Sequence, residues 1–269
     1  MSNKQQPRIV AFLNQKGGVG KTTSAVTVAH LWALEGKRIL LLDLDAQGNI
    51  ADSLGLEKTG ALNRLLVGEV GTAAITPSGR ERLEVVLGDK STAKTKQILS
   101  GDPFGVFKLR ETLADLTRQR PYEALVLDVA PGADILQLAA LVACTHFVVP
   151  VSLEHLALVG VREALESVAS LKKVNAFQGG FAGVLPTLLN RSIKGHVERL
   201  KLLAQTFGRQ VLPPIPTDAT VGKAQAEGQT VAEFDPHCRA LTGTELNGNG
   251  KRYGGYVAAA RWLAQEVSL

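Results

Sequence analysis

A run of glycines, lysines and threonines near the amino terminus has the residue types of a phosphate-binding loop. It reads Gln15-Lys16-Gly17-Gly18-Val19-Gly20-Lys21-Thr22-Thr23 and lies between an apolar run, Ile9 to Leu13, and a segment with helical periodicity. Glycines allow successive backbone N–H groups to point at phosphate oxygens, and the following helix adds the positive end of its dipole. We predict a nucleoside triphosphate site, with Lys21 on the β- and γ-phosphates and the Thr22 hydroxyl on bound magnesium.

The first part of this loop departs from the usual spacing. The pattern G-x-x-x-x-G-K-[ST] expects glycine at position 15, where the chain has Gln15 followed by an additional lysine, Lys16. Because Lys21 already occupies the phosphates of its own loop, Lys16 is better placed to reach the nucleotide of a second subunit across a two-fold interface. The plain alternative is an exposed lysine with no special role.

Three acidic residues follow apolar runs that have the character of buried strands. Asp43 and Asp45 end one run and Asp128 ends another. Open α/β sheets bind ligands at the carboxyl ends of their strands, and side-chain alternation predicts that Asp43 and Asp45 project to the same side, towards a magnesium–triphosphate site. We predict that Asp45 positions or deprotonates the attacking water and that Asp128 holds magnesium. A turn-capping role for Asp45 is the alternative.

Composition indicates one globular domain of residues 1–269. The chain has 45% hydrophobic residues, and it contains no apolar stretch long enough for a signal peptide or a membrane span. Cys144 and Cys238 stand far apart and form no disulfide or metal-ligand pattern. These observations predict a reducing compartment and a cytoplasmic protein.

A net charge of +5 and a pI near 9.2 favour a polyanionic partner, with nucleic acid as the leading candidate. Aromatic residues are scarce in the basic C-terminal stretch, so contact with the phosphates of duplex DNA fits better than base stacking. The candidate DNA-contacting residues are Arg191, Lys194, Arg199, Lys201, Arg209 and Lys223.

Short apolar runs alternate with helical segments, which predicts a mostly parallel twisted sheet with helices on both faces. Predicted strands are Ile9–Leu13, Arg38–Asp43, Leu83–Leu87, Ala124–Asp128, Phe147–Val151 and Gly183–Leu189. Predicted helices are Lys21–Glu35, Phe104–Arg118, Ile135–Ala143, Leu158–Val174 and Gly195–Phe207. A glycine-rich stretch over 241–253 predicts a surface loop or small hairpin before a last helix over 254–269.

These motifs together resemble the ParA/MinD group of deviant Walker ATPases, and more closely the ParA-type partition ATPases. The resemblance extends over nearly the whole chain. It rests on Lys16 to Thr23, Asp43 to Asn49, Pro150 to Gly160, Ile215 to Asp218, Gly228, and Phe234 to Pro236.

The resemblance implies an ATP-dependent sandwich dimer in which Lys16 contacts the other subunit's nucleotide and Asp45 directs the hydrolytic water. It implies magnesium at Thr22 and Asp128, and adenine held by Asn190 and the loop Pro216-Thr217-Asp218. It also implies that the ATP-bound dimer associates with the nucleoid by binding DNA without sequence preference. A ParB-like partner, or an adaptor on a protein cargo, then stimulates hydrolysis.

Three departures limit this likeness. The family often has two prolines after the second acidic motif, whereas Asp128 is followed by Val129, Ala130 and a single Pro131. Near Thr220 the chain has Lys223 where many relatives have an arginine. The stretch 241–253 looks like an insertion.

Other classes of protein fit less well. A MinD-like membrane switch needs a basic amphipathic tail, but the segment Val257 to Val267 contains a single basic residue, Arg261. An iron–sulfur reductase needs paired cysteines, and Cys144 is better explained as a buried structural thiol. Segregation of DNA and positioning of a protein cargo remain alternatives that the sequence does not separate.

Overall fold

The computed structural model describes residues 6–154, 157–245 and 252–269, and within them seven strands form one sheet. Its order is β3-β4-β2-β5-β1-β6-β7, and neighbours run parallel except for β3, which is antiparallel to β4. The strands are β1 (Arg8–Phe12), β2 (Ile39–Asp43), β3 (Thr76–Arg80), β4 (Leu83–Val86), β5 (Ala124–Asp128), β6 (His146–Ser152) and β7 (Gly180–Thr187). The predicted fold class is confirmed.

Helices connect the strands and cover the sheet. They are α1 (Lys21–Leu34), α2 (Asn49–Leu54), α3 (Ala61–Leu66), α4 (Thr92–Gly101), α5 (Lys108–Gln119), α6 (Ile135–Ala143), α7 (Ala157–Lys173), α8 (Lys194–Phe207), α9 (Thr220–Ala226), α10 (Val231–Phe234), α11 (Arg239–Thr242) and α12 (Tyr256–Val267). On one face, α1 and α12 pack in a single apolar cluster with Phe12, Leu41 and Val126. On the other face, α5, α6 and α7 pack with alternate residues of the same strands. Burial from both sides explains why these strands read as continuous apolar runs.

Two predicted elements have bounds that differ by more than two residues from those observed. The helix predicted from Phe104 begins at Lys108 and is preceded by a 3₁₀ turn over Gly105–Phe107. A Cβ on Gly105 would lie 2.0 Å from the Leu99 carbonyl oxygen, so this glycine is pressed against the end of α4 and the chain must turn there before helix begins. The strand predicted over Gly183–Leu189 runs from Gly180 to Thr187.

The predicted surface loop begins later than expected. Leu241 lies in α11 with 3% of its surface exposed, because it packs with the α1 and α12 cluster. Beyond it, β8 (Thr244–Glu245) pairs antiparallel with β9 (Arg252–Tyr253). Residues 246–251 of this stretch, and residues 155 and 156 of the Pro150 to Gly160 motif, lie outside the described residues. In the described part of the chain, no helix has both the length and the apolar character that crossing a membrane requires.

Candidate nucleotide-binding site

The phosphate-binding loop leaves β1 at the carboxyl edge of the sheet and leads directly into α1. Gly18 and Gly20 have φ of +71° and +79°, in the left-handed region that favours glycine. Val19 between them is buried, and its carbonyl accepts a 2.9 Å hydrogen bond from the hydroxyl of Thr187, the last residue of β7. Gly17 and Gly18 are exposed. The loop is therefore anchored at its centre, with open backbone where an anion would approach.

Asn14 fixes the start of the loop, and no motif in the sequence pointed to this residue. Its buried side-chain amide donates to the Pro150 carbonyl at 2.8 Å and accepts from the Lys16 backbone N–H at 2.9 Å. Gly160 of α7 packs on this amide, since a Cβ there would lie 2.4 Å from the Asn14 Oδ1 atom. The only sequence signal was an amide side chain directly after an apolar strand.

Lys21 begins α1 and points into the curved loop. Its ammonium group donates to the Lys16 carbonyl at 2.9 Å, and the residue is 7% exposed. Burial lowers the pKa of Lys21, while the charges of Asp128 and Asp45 partly offset that effect. A buried cation held among acidic groups at a helix amino terminus is suited to a phosphate ligand.

Lys16 lies at the rim of the site. Its side chain is 44% exposed, and its Nζ atom lies 3.6 Å from an Oε2 atom of Glu154, whose side chain is 64% exposed. An ion pair this open to water contributes little, typically ~0–1 kcal/mol. The two lysines of the loop are thus in different environments. Lys21 lies inside the phosphate cradle, whereas the Lys16 side chain lies at the rim and can reach outwards.

Asp43 and Asp128 end adjacent strands as register partners of the β2–β5 ladder. The carboxylate of Asp43 accepts hydrogen bonds from the backbone N–H groups of Asp45 and Ile50, at 3.0 and 3.1 Å. Both carboxylate oxygens of Asp128 are buried and receive no well-formed hydrogen bond from a described residue, although the Thr22 side chain lies close enough to act on the pKa of Asp128. Buried polar atoms without partners are rare in folded proteins, and here they indicate a place for a ligand.

Both of these buried carboxyl groups have a raised pKa. Burial is the main cause of the raised pKa of Asp43, which is about 7. The hydrogen bonds from Asp45 and Ile50 only partly oppose this effect of burial. Burial and then the charge of Asp43 raise the pKa of Asp128 well above its usual range, against smaller opposing effects of Thr22 and Lys21. A divalent cation would favour the charged form of both acids. The described residues contain no cluster of three or more His, Cys, Asp or Glu side chains around one point, so a cation here would take most of its ligands from phosphate and water, as magnesium commonly does.

Asp45 lies two residues beyond the end of β2, so the alternation that predicted its direction does not extend to it. Instead the backbone turns around the Asp43 carboxylate. Asp45 is 9% exposed, and its Oδ1 atom accepts from the Gln47 backbone N–H at 3.0 Å. Its charge acts on Lys21 and on both other acids, which places it at the same site.

The threonines after Lys21 lie in the first turn of α1 and are partly exposed. Thr22 lies near enough to Asp128 to affect its pKa. The Thr23 hydroxyl accepts a 3.2 Å hydrogen bond from the side-chain amide of Gln225 in α9. This link could not be predicted from the sequence, because the two residues are 202 positions apart.

The structure brings together the residues predicted to hold adenine. Leu189 and Pro216 form an isolated bridge, which sets Asn190 beside Thr217. Asn190 and Thr217 are exposed, whereas Pro216 is buried. The carboxylate of Asp218 is occupied by bonds within the protein. It accepts hydrogen bonds from the backbone N–H groups of Thr220, Arg239 and Ala240. Burial acts to raise its pKa, but these bonds together hold the pKa of Asp218 below its usual value.

The predicted basic residues divide into two groups. One residue, Arg199, is half-buried and donates from Nη1 to the Leu153 carbonyl at 2.9 Å, so it holds the loop after β6 and is less available to DNA than predicted. The exposed group comprises Arg191, Lys194, Lys201, Arg209 and Lys223. Arg191, Lys194 and Lys223 are near the carboxyl edge of the sheet, because they follow the ends of β7 and of the Leu189–Pro216 bridge.

This fold and this loop define the protein as a P-loop NTPase. A protein-family profile described as an AAA domain matches residues 7–178. The chromosome-partitioning ATPase Soj of Thermus thermophilus is 36% identical over 234 residues, covering 85% of this chain and 89% of that protein. The chromosome partitioning protein ParA of Caulobacter vibrioides is 28% identical, covering 86% and 88%.

Among solved structures, the ATP complex of a single-residue variant of Cyanothece McdA superposes with a TM-score of 0.82 and covers 98% of both chains. Its sequence identity is 19%, so this likeness concerns the fold alone. The family profile and the sequence relatives identify the chain as a member of the ParA-type ATPase family, and it is an ATPase.

Proposed function

We propose that this ATPase is a switch that dimerises when it binds ATP, binds DNA without sequence preference as a dimer, and releases DNA after hydrolysis. The observation that carries the proposal is the division between its two loop lysines. Lys21 is buried in the cradle, whereas Lys16 is 44% exposed at the rim and is restrained by one open ion pair. A cation in that position can enter the site of a facing subunit.

Magnesium fits the acidic part of the site. The unpartnered oxygens of Asp128 and the nearby Thr22 hydroxyl are the groups we assign to it, with Asp43 beside them. When bound, magnesium neutralises phosphate charge and draws electron density from the bond to be broken. Thr22 and Asp128 would orient the ion, in part through water.

Asp45 is the residue we assign to the attacking water. It is close to full burial; its backbone N–H donates to the Asp43 carboxylate, and its own carboxylate accepts from the Gln47 N–H. A carboxylate held in that way can orient water for in-line attack on the γ-phosphate and accept its proton. Lys16 of the facing subunit would stabilise the charge that develops on the phosphate oxygens.

The phosphates would be held by backbone groups of the loop Gly17 to Gly20, which includes Val19, and by Lys21, Thr22 and Thr23. The edge formed by Asn190, Pro216 and Thr217 would hold the adenine, with Asp218 supporting that edge from behind through its bonds to α9 and α11. Exposed amide and backbone groups on such an edge can distinguish a base by its hydrogen-bonding pattern.

The exposed cations Arg191, Lys194, Lys201 and Lys223 would form the DNA surface, with Arg199 supporting it from below. We propose DNA segregation as the role, because the relative that is 36% identical is named a chromosome-partitioning ATPase. The partner would be a ParB-like protein that stimulates hydrolysis, and the location would be the cytoplasm and its nucleoid.

DNA binding tests the proposal. We expect a labelled duplex to be bound in the presence of ATP and magnesium and released with ADP. The logarithm of the binding constant should fall with that of salt concentration, with a slope of about −0.9 per phosphate neutralised. Equal binding with ATP and ADP would contradict the switch, and salt-independent binding would contradict the electrostatic surface.

A further inference from the structure

Arg80 of β3 uses every donor of its guanidinium group. Nε and Nη2 donate to the two carboxylate oxygens of Glu233, at 2.9 and 3.0 Å. Nη1 donates to the carbonyls of Leu54 and Ser78 at 2.8 Å, and Nη2 also donates to the Gly228 carbonyl at 2.9 Å. Five bonds satisfy five N–H groups, and the Arg80 side chain is 11% exposed. We call this set of contacts the Arg80 clasp.

The clasp joins elements that are far apart in the chain. Leu54 is the last residue of α2, Gly228 follows α9, and Glu233 lies in α10. Next to it, Gly55 and Gly228 touch backbone to backbone, since a Cβ on Gly228 would lie 2.6 Å from the Gly55 Cα. The carboxyl-terminal ends of α2 and α9 are therefore fixed against each other.

Both of these helices also contact the nucleotide site. α2 starts directly after the turn that contains Asp45, and the Ile50 N–H in its first turn donates to the Asp43 carboxylate. α9 carries the exposed Lys223 and also Gln225, whose amide donates to Thr23 of the phosphate loop. A movement of the Asp45 turn can therefore be passed through α2 and the Arg80 clasp to α9, the helix that carries Lys223.

A second contact holds α10 against α1. The Thr230 hydroxyl accepts from the Glu233 backbone N–H at 3.3 Å and is 2.8 Å from Nδ1 of His30. Glu233 in turn bonds the Thr230 backbone N–H, which completes a capping box. Thr230 therefore holds Glu233 in place independently of Arg80.

We infer that Arg80 is a positioning residue that transmits the nucleotide state from the Asp43–Asp45 turn to α9 and its Lys223. The inference rests on the proposed function, since it says how ATP controls the DNA surface. Lysine cannot replace arginine here, because a single ammonium cannot bind both oxygens of Glu233 and three carbonyls at once.

The experiment measures hydrogen exchange over 220–228 with and without ATP, in protein carrying Asp45→Ala to suppress turnover. We expect ATP to change exchange in this segment, and Arg80→Lys to remove that change while ATP affinity stays within about threefold. Glu233→Gln, a milder change, should weaken it in the same direction. Arg82→Lys is the matched control, because Arg82 is an exposed neighbour paired only with Glu81 among the described residues. It should retain the full response.

An unchanged α9 response in both Arg80→Lys and Glu233→Gln would overturn the inference, and so would a parental protein whose α9 does not respond to ATP. DNA binding by the same variants separates this result from the proposed function. If the parental protein binds DNA equally with ATP and ADP, the proposed function fails. If it discriminates, Arg80→Lys should reduce the ratio of the two affinities roughly tenfold.

Discussion

Asp43 and Asp128 are register partners on neighbouring parallel strands, and both carboxyl groups are buried at the end of the sheet. Asp43 is hydrogen-bonded by backbone N–H groups, whereas Asp128 receives no well-formed hydrogen bond from a described residue. Two acids so placed repel each other in the protein without ligand. The site is therefore built at a cost in stability, which a bound cation would offset.

Asp128→Asn should stabilise the protein in the absence of magnesium and nucleotide. The amide keeps the size of the side chain but does not ionise, so it avoids the cost of burying an acid that is charged in the unfolded chain, and at pH 7 we expect the free energy of unfolding in urea to rise by about 1–2 kcal/mol. ATP hydrolysis should be lost. Asp115→Asn, at an exposed acid of α5, is the control and should stay within about 0.5 kcal/mol of the parent. A clear loss of stability in Asp128→Asn would show that the carboxylate has a structural partner.

Asp45→Ala should bind ATP normally and hydrolyse it slowly. Loss of a group that orients and deprotonates water costs about 10²–10⁴-fold in rate, which single-turnover assays with labelled ATP can measure. Asp52→Ala is the control, since Asp52 belongs to α2 but is exposed and paired with Lys58. Hydrolysis near the parental rate in Asp45→Ala would assign the water to another group.

Lys223→Ala and Lys194→Ala should each weaken ATP-dependent DNA binding and reduce the salt slope by about 0.9, because each removes one phosphate contact. Lys173→Ala is the control: this exposed lysine ends α7 and lies at the opposite edge of the sheet. Arg199→Ala should differ, since it breaks the bond to Leu153 and should lower stability by about 1 kcal/mol. Salt slopes unchanged in both exposed-lysine variants would remove these residues from the DNA surface.

His30 should make stability depend on pH. Burial lowers the pKa of His30, with Glu233 raising it and Arg80 lowering it further. Below pH ~6.5 the unfolded chain therefore takes up a proton that the folded protein does not, and stability falls with pH, by at most ~1.4 kcal/mol per pH unit for this group. The fall should continue down to the lowered pKa of the folded state.

His30→Gln should show a shallower fall in unfolding free energy between pH 7 and pH 5 than the parental protein. The control is His237→Gln at an exposed histidine. Identical pH profiles for the parent and His30→Gln would contradict the assignment.

The sequence predicted the central strands because each is buried on both faces and reads as an unbroken apolar run. It missed β3, whose residues Thr76 to Arg80 include proline and glycine and pair on one side only. It also missed α2, α3, α4, α9, α10 and α11. All but α4 have four to seven residues, too few for a clear periodicity, and α4 has only two large apolar residues, Ile98 and Leu99. Distant groups hold two of these helices: Arg80 binds the end of α2 across 26 positions, and Asp218 binds the start of α11 across 21.

The residues of the candidate site also divide into those that can be predicted from the sequence and those that cannot. The phosphate loop and the acids Asp43 and Asp128 could be predicted, because their residue types and their places after strands are local features. Asn14 on Pro150, Gln225 on Thr23 and the Arg80 clasp could not, because their partners are separated by 136, 202 and up to 153 positions. Only the folded topology brings these residues together.

The mass of the protein in solution tests the central claim, that Lys16 acts on the nucleotide of a facing subunit. Light scattering should compare Asp45→Ala, which retains ATP, with the same protein carrying Lys16→Ala, Glu154→Gln or Lys173→Ala. With ATP, we expect twice the chain mass of 28.6 kDa for all but Lys16→Ala. Lys16→Ala should bind ATP within about threefold of the parent and remain at 28.6 kDa, because only the contact across the interface is lost. A Lys16→Ala protein that dimerises with ATP as fully as its parent would contradict the account.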